Sequence, residues 1–182
     1  MPIHLNHEYT PEDLYGMPQD QIDRVQNLLQ YQKGFSLAPH YYHRYVDEIP
    51  NLDWHSCSFY DPDAVIPEQK GIYAFSIQFN NGNLPNNSYV MYIGKGGEIG
   101  NNSSIKARYN SYVAYEEGRQ FKLKFNTFFK MWKHHIIFSY AILPEGVSPG
   151  EVEKKLNNIL QPPLSINDYS AEVKLDRIGA NI

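Results

Sequence analysis

The chain has 182 residues, 42% of them hydrophobic, which fits one domain able to bury a sizeable core and excludes a disordered chain. One cysteine, Cys57, excludes an intrachain disulfide and any multi-cysteine zinc site, and reads as a buried small apolar residue. The net charge of -4 is unevenly spread: residues 95–135 carry eight Lys/Arg against three acids, whereas residues 1–70 carry four against eleven. An anionic partner is therefore expected near the middle of the chain, not along its start. No apolar run is long enough to span a bilayer and the first residues lack the pattern of a signal peptide, so an intracellular (cytoplasmic) protein is expected.

Taken in order, Thr10-Pro11-Glu12-Asp13 resembles a helix start, and Ile22, Val25, Leu28 and Leu29 recur at helical spacing within 18–32. Pro39 to Tyr45 interleaves aromatic and basic residues, which reads as packing tyrosines more than as a base-stacking surface. Residues 51–70 read as a packed connection. Two short apolar runs, 71–79 and 88–94, flank Asn81-Gly82 and predict a β-hairpin. Alternation puts Tyr73, Phe75, Ile77 and Phe79 on one face of the first strand. In the second strand it pairs Val90 with Tyr92, opposite Tyr89, Met91 and Ile93. Register alone decides whether Tyr73 and Tyr92 meet.

Ser103 or Ser104 can cap a helix in which Ile105, Arg108, Tyr109 and Tyr112 share one face. A guanidinium on that face needs an anion, and a structural salt bridge would serve as well as a phosphate. Residues 113–135 are aromatic and basic and helical in their latter half. His134-His135 is too short a cluster for a metal site, and 136–143 form a third strand. Ser148-Pro149-Gly150-Glu151 has the form of a capping box, which occupies Glu151 at its own helix terminus. Val152, Leu156, Ile159 and Leu160 define the buried stripe of that helix. Glu153 lies about 70° from its centre and Glu151 about 130°, so Glu153 sits at the core rim, where it can be held rigidly yet reach a metal ion. Pro162-Pro163 ends the helix, and the tail to Ile182 offers no motif.

With Gly71-Ile72-Tyr73, Tyr92-Ile93-Gly94, Arg108 and Glu153 in this order, residues 70–168 resemble the GIY-YIG endonucleases. The spacing of Glu153, Leu156 and Pro162 strengthens the resemblance. It implies an α+β fold, a small three-stranded antiparallel sheet flanked by helices over 70–182, with 1–69 as a mostly helical N-terminal extension packed on that core. It also implies metal-dependent hydrolysis of DNA phosphodiesters. Tyr73 is then the general base or the positioner of the attacking water, Tyr92 organises the site, Arg108 neutralises phosphate charge, and Glu153 anchors Mg²⁺ or Mn²⁺. Tyr112 stands where many members carry histidine. At the late polar position, usually asparagine, stands Ser165, with Asn167 two residues on. Lys95, Lys106 and Asn167 are the expected substrate contacts, and cutting both strands of a duplex implies a homodimer or transient pairing. A nucleic-acid-binding module without catalysis and an RNA-directed nuclease are the rival readings.

Overall fold

The computed structural model describes residues 18–20, 36, 38–79, 84–85, 87–97 and 103–180, with backbone alone for Leu123. The readings at Thr10–Asp13, Ile22–Leu29 and Asn81-Gly82 lie outside these residues. The architecture is α+β: a four-stranded antiparallel sheet of β1 (His55–Ser58), β2 (Gly71–Phe79), β3 (Asn87–Gly96) and β4 (Ile136–Ile142), in the order β1-β4-β2-β3. Five helices accompany it among the described residues: α1 (Pro39–Tyr45), α2 (Ile105–Glu116), α3 (Leu123–Trp132), α4 (Pro149–Leu160) and α5 (Ala171–Gly179). No helix among these residues is long and apolar enough to cross a membrane.

The fourth strand corrects the expected three. β1 lies in the stretch that reads as a connection, because His-Ser-Cys-Ser lacks the β-branched run that marks a strand. It is an edge strand held by β4 alone, with Ser56 and Ser139 hydroxyls 2.8 Å apart. Cys57 is half-buried there, not fully buried. α5 is the other unforeseen element: Ser170 caps it by accepting from the Val173 N–H, and Val173 is buried against Tyr41 and Tyr169. In α1 only Tyr41 is buried, its hydroxyl donating to Asp176 at 2.6 Å; Arg44 pairs with Glu172, so the basic residue of this stretch is occupied.

β2 is the centre of the fold and is buried on both faces. One face, with Tyr73, Phe75 and Ile77, meets the aromatic side chains of α2 and α3: Tyr112, Phe125, Phe128 and Phe129. The other, with Ile72 and Ala74, packs with Ile93, Val152 and Leu156. The strict alternation expected for β3 fails at Met91. Phe75 pairs with Tyr92 and Ser76 with Val90, so a β-bulge places an extra residue between them. Val90 therefore joins the Ile72 face, while Tyr92 stays on the Tyr73 face.

α2 is seated tightly. Ser104, not Ser103, caps it, accepting from the Ala107 N–H at 3.1 Å. The N–H groups of Ile105 and Lys106 donate to the carbonyls of Gln69 and Pro67. Gly71 makes room for this: a Cβ there would lie 2.2 Å from the Ala141 carbonyl oxygen and 2.6 Å from Ile105 Cδ1. The glycine that opens β2 thus lets the first turn of α2 lie close against the sheet.

Candidate active site

A cleft of about 160 Å³ lies between β2, β3, α2, the start of α3 and α4. It is lined by Tyr73 and Tyr92 from the strands, by Arg108, Ser111, Tyr112 and Tyr115 from α2, and by Lys95, Lys122, Phe125 and Glu153. All five expected catalytic residues, Tyr73, Tyr92, Arg108, Tyr112 and Glu153, meet here, with Lys95 beside them. The arginine, serine and two tyrosines of α2 fall at i, i+3, i+4 and i+7, a single helical stripe.

The tyrosines form a hydroxyl cluster. Tyr73 is opposite Gly94 in the ladder, and Tyr92 is opposite Phe75, so their rings lie diagonally on one face with centroids 6.3 Å apart. Tyr112 reaches down from α2, its hydroxyl 3.0 Å from that of Tyr73 and also hydrogen-bonded to Tyr92. Burial pushes the phenols of Tyr73, Tyr92 and Tyr112 above their ordinary range. For Tyr73, the Tyr112 hydrogen bond and the charge of Arg108 oppose this without reversing it. All three are therefore neutral near pH 7. The unfolded tyrosines ionise at about 10 and the folded ones higher, so this contribution to stability is complete below that pH and is lost as pH rises above it. These three tyrosines, like Tyr41, Tyr60, Tyr109 and Tyr169, are expected to ionise only above the ordinary phenol range, so that part of the phenolate absorbance of the 15 tyrosines lags until alkaline unfolding seen by circular dichroism. A complete phenolate signal at about 10 with the fold intact would contradict the shared burial.

Among the described residues the charges of the cleft favour an anion: Lys95, Arg108 and Lys122 line it with one carboxylate, Glu153. Glu153 is 17% exposed and pairs with Lys95 at 3.2 Å, which holds both side chains in place. Glu151 lies out of the cleft, and its N–H donates to the Ser148 Oγ at 3.4 Å. Of the expected buried stripe, Val152 and Leu156 are buried, but Leu160 is exposed and Asn157 and Asn158 are buried in its place; the serine half of the capping box is present, and of the two glutamates Glu153 alone lines the cleft. Arg108 enters none of the ion pairs among the described residues, and its buried Nε–H has no hydrogen-bond partner there. The structural salt bridge considered from the sequence is therefore not found among them. An arginine that lines a small cleft with no ion pair among the described residues is suited to an anionic oxygen.

Two expected contacts do not line the cleft. Lys106 is exposed and pairs with Glu68 at 2.6 Å, because two residues before Arg108 is about 200° around the helix. Asn167 is exposed on a short 3₁₀ turn, Ile166–Asp168. Ser165 fills the late polar position instead: fully buried, its Oγ accepts from the Ile93 N–H at 3.2 Å and donates to the Ile93 carbonyl at 3.4 Å. It clamps the chain after α4 to the strand that carries Tyr92. Four lining residues were not singled out from sequence. Ser111 and Tyr115 extend the Arg108–Tyr112 stripe and could have been found by continuing it. Lys122 and Phe125 sit where α3 begins and had only the local charge and aromatic run to mark them.

Metal ligation has a narrow form here. No group of three or more His, Cys, Asp or Glu side chains suited to a metal occurs among the described residues, so a closed protein cage does not fit. Mg²⁺ keeps several waters and uses one or two carboxylates together with phosphate oxygens, and a single rim carboxylate in a cationic cleft fits that mode. Compared with known proteins, the chain matches no family model, no curated protein and no solved structure.

Proposed function

We propose that this protein is a metal-dependent endonuclease that hydrolyses phosphodiester bonds in DNA, with the tyrosine, arginine and glutamate cleft as its active site. The observation that carries the reading is convergence: Tyr73, Tyr92, Arg108, Tyr112 and Glu153, from four elements and 81 positions of chain, line one cleft of about 160 Å³ in the order and spacing of a GIY-YIG site. That volume, about five waters' worth, suits a phosphate with its solvent.

In this reading Arg108 and Lys95 bind the non-bridging oxygens of the phosphate, Arg108 having no ion pair among the described residues. Tyr73 acts as a neutral phenol that orients the attacking water, its hydroxyl fixed by Tyr112 and Tyr92. Tyr112 cannot gain a proton near neutral pH as a histidine would, so it positions and does not shuttle. Glu153 would hold the divalent ion, which when bound supplies Lewis-acid neutralisation of the phosphoryl oxygens. Cutting both strands of a duplex needs two such sites, hence two copies of the chain.

The test is cleavage of supercoiled plasmid and of labelled DNA and RNA strands with Mg²⁺ or Mn²⁺. Nicking that stops when the metal is chelated is the expected result. Preferential cleavage of RNA would redirect the substrate, and binding without cleavage across a diverse panel would reduce the protein to a binding module.

A further inference from the structure

The cleft is too small for what flanks the phosphate. At about 160 Å³ it falls below the roughly 300–1,000 Å³ of pockets that enclose a nucleotide-sized ligand, so any base next to a bound phosphate must lie at the rim. One side of the cleft is aromatic and basic. Tyr115 and Phe125 line it with near-parallel rings, 6.0 Å apart and 11° inclined, and Lys122 stands over Phe125 at 5.4 Å. Next to Lys122 in the chain is Phe121, 78% exposed, whereas Phe125, Phe128 and Phe129 just beyond are buried.

Phe121 is presented on a braced segment. The N–H of Gln120 donates to the Ala114 carbonyl at 3.0 Å, and that of Lys122 to Asn126 Oδ1 at 2.6 Å. Both neighbours of Phe121 are therefore pinned while its own ring is left in solvent, where it contributes little to folding. An exposed aromatic ring carried on a braced backbone beside a cation is an arrangement on which an unstacked base can lie while its phosphate meets the charge. Of the other large exposed aromatic rings among the described residues, Tyr42 and Trp54 belong to segments that contribute nothing to the cleft, and Tyr89 of β3 does not line it, being edge-on to Phe79 and hydrogen-bonded by Asn87 Nδ2.

We infer that Phe121 is a base-stacking residue of this cleft, and that the preferred substrate presents an unpaired base beside the bound phosphate. This rests on the nuclease reading for the identity of the ligand. A paired base has both faces covered by its neighbours in the stack and gains nothing from Phe121.

Binding is measured by fluorescence anisotropy with metal chelated, so that no strand is cut, using a labelled single-stranded DNA, the same strand annealed to its complement, and a strand of abasic residues. Phe121→Ala is expected to weaken binding of the single strand about tenfold and of the duplex and abasic strand less than twofold, with Phe121→Trp restoring the single-strand affinity. An unchanged single-strand affinity in Phe121→Ala, or an equal loss on the abasic strand, overturns the inference. Because Phe121 is exposed, its replacement does not threaten the fold. If the wild type cuts DNA while Phe121→Ala binds normally, the stacking role fails and the nuclease reading stands. If Phe121→Ala loses single-strand affinity but the wild type never cuts, the reverse holds.

Discussion

Glu153→Gln is expected to lower metal-dependent cleavage by about 10³-fold or more, since the carboxylate charge that would hold the divalent ion contributes several kcal/mol in such sites. Glutamine keeps the size and one acceptor oxygen of the side chain and removes only its charge. The fold should barely notice: the pair with Lys95 is partly solvated, with the lysine 28% exposed, and its loss costs about 1 kcal/mol or less. Nucleic-acid binding without metal should be unchanged or tighter, because the only negative side chain that lines the cleft among the described residues is gone while Lys95, Arg108 and Lys122 remain. Loss of cleavage with retained binding separates metal anchoring from unfolding and from loss of phosphate contacts. Glu151→Gln is the matched control two residues away, expected to change cleavage less than about twofold because that side chain sits exposed at the N-terminus of α4. Comparable activity in Glu153→Gln and wild type, or a large loss in Glu151→Gln, would sink the assignment.

The contrast between these glutamates marks what the sequence could say. Several features that depend on residues close in the chain were legible: the Ser148 cap, Ser104 as one of two candidate caps of α2, and the helical stripe through Arg108 and Tyr112; α5, capped by Ser170, is equally local and was missed because its apolar residues are few. Features that depend on pairing across the chain were not legible. The bulge at Met91 shifts Val90 to the opposite face from Tyr92, and nothing in a run of apolar residues announces an extra residue in a ladder. β1 forms because β4 offers it an edge, not because His-Ser-Cys-Ser favours extended backbone. Ser165 gave no reason of its own to be preferred over Asn167, since the choice depends on which one the chain after α4 brings to Ile93. Burial was the other hidden quantity. A tyrosine can be placed on a strand from its sequence, but that the Tyr73 phenol is pushed above its ordinary range follows from its 2% exposure, which only the fold reveals.

Gly94→Ala is expected to destabilise the protein by about 3 kcal/mol, with an unchanged denaturant slope and a melting temperature about 6–12 °C lower. Backbone freedom is not the reason, because Gly94 is ordinary strand. Space is: an added Cβ would stand 2.4 Å from the Tyr73 Oη, 2.5 Å from its Cζ and 2.8 Å from its Cε2. The tyrosine ring lies flat across the glycine on the neighbouring strand. It has nowhere to go, being enclosed by Phe75, Tyr92, Tyr112 and Phe138 with centroids 5.7–6.3 Å away. Any displacement also moves the hydroxyl off Tyr112, so cleavage should fall along with stability. Tyr73→Phe offers no relief, since Cζ and Cε2 remain in the way. Tyr73→Leu removes all three clashing atoms, so adding Gly94→Ala to that background should cost less than about 1 kcal/mol, a coupling of about 2 kcal/mol in the cycle. An equal cost in both backgrounds would show that Gly94 is needed for some reason other than the ring above it. The requirement ties the two strand signatures into one physical object: the glycine closing Tyr92-Ile93-Gly94 is the floor on which the tyrosine of Gly71-Ile72-Tyr73 lies.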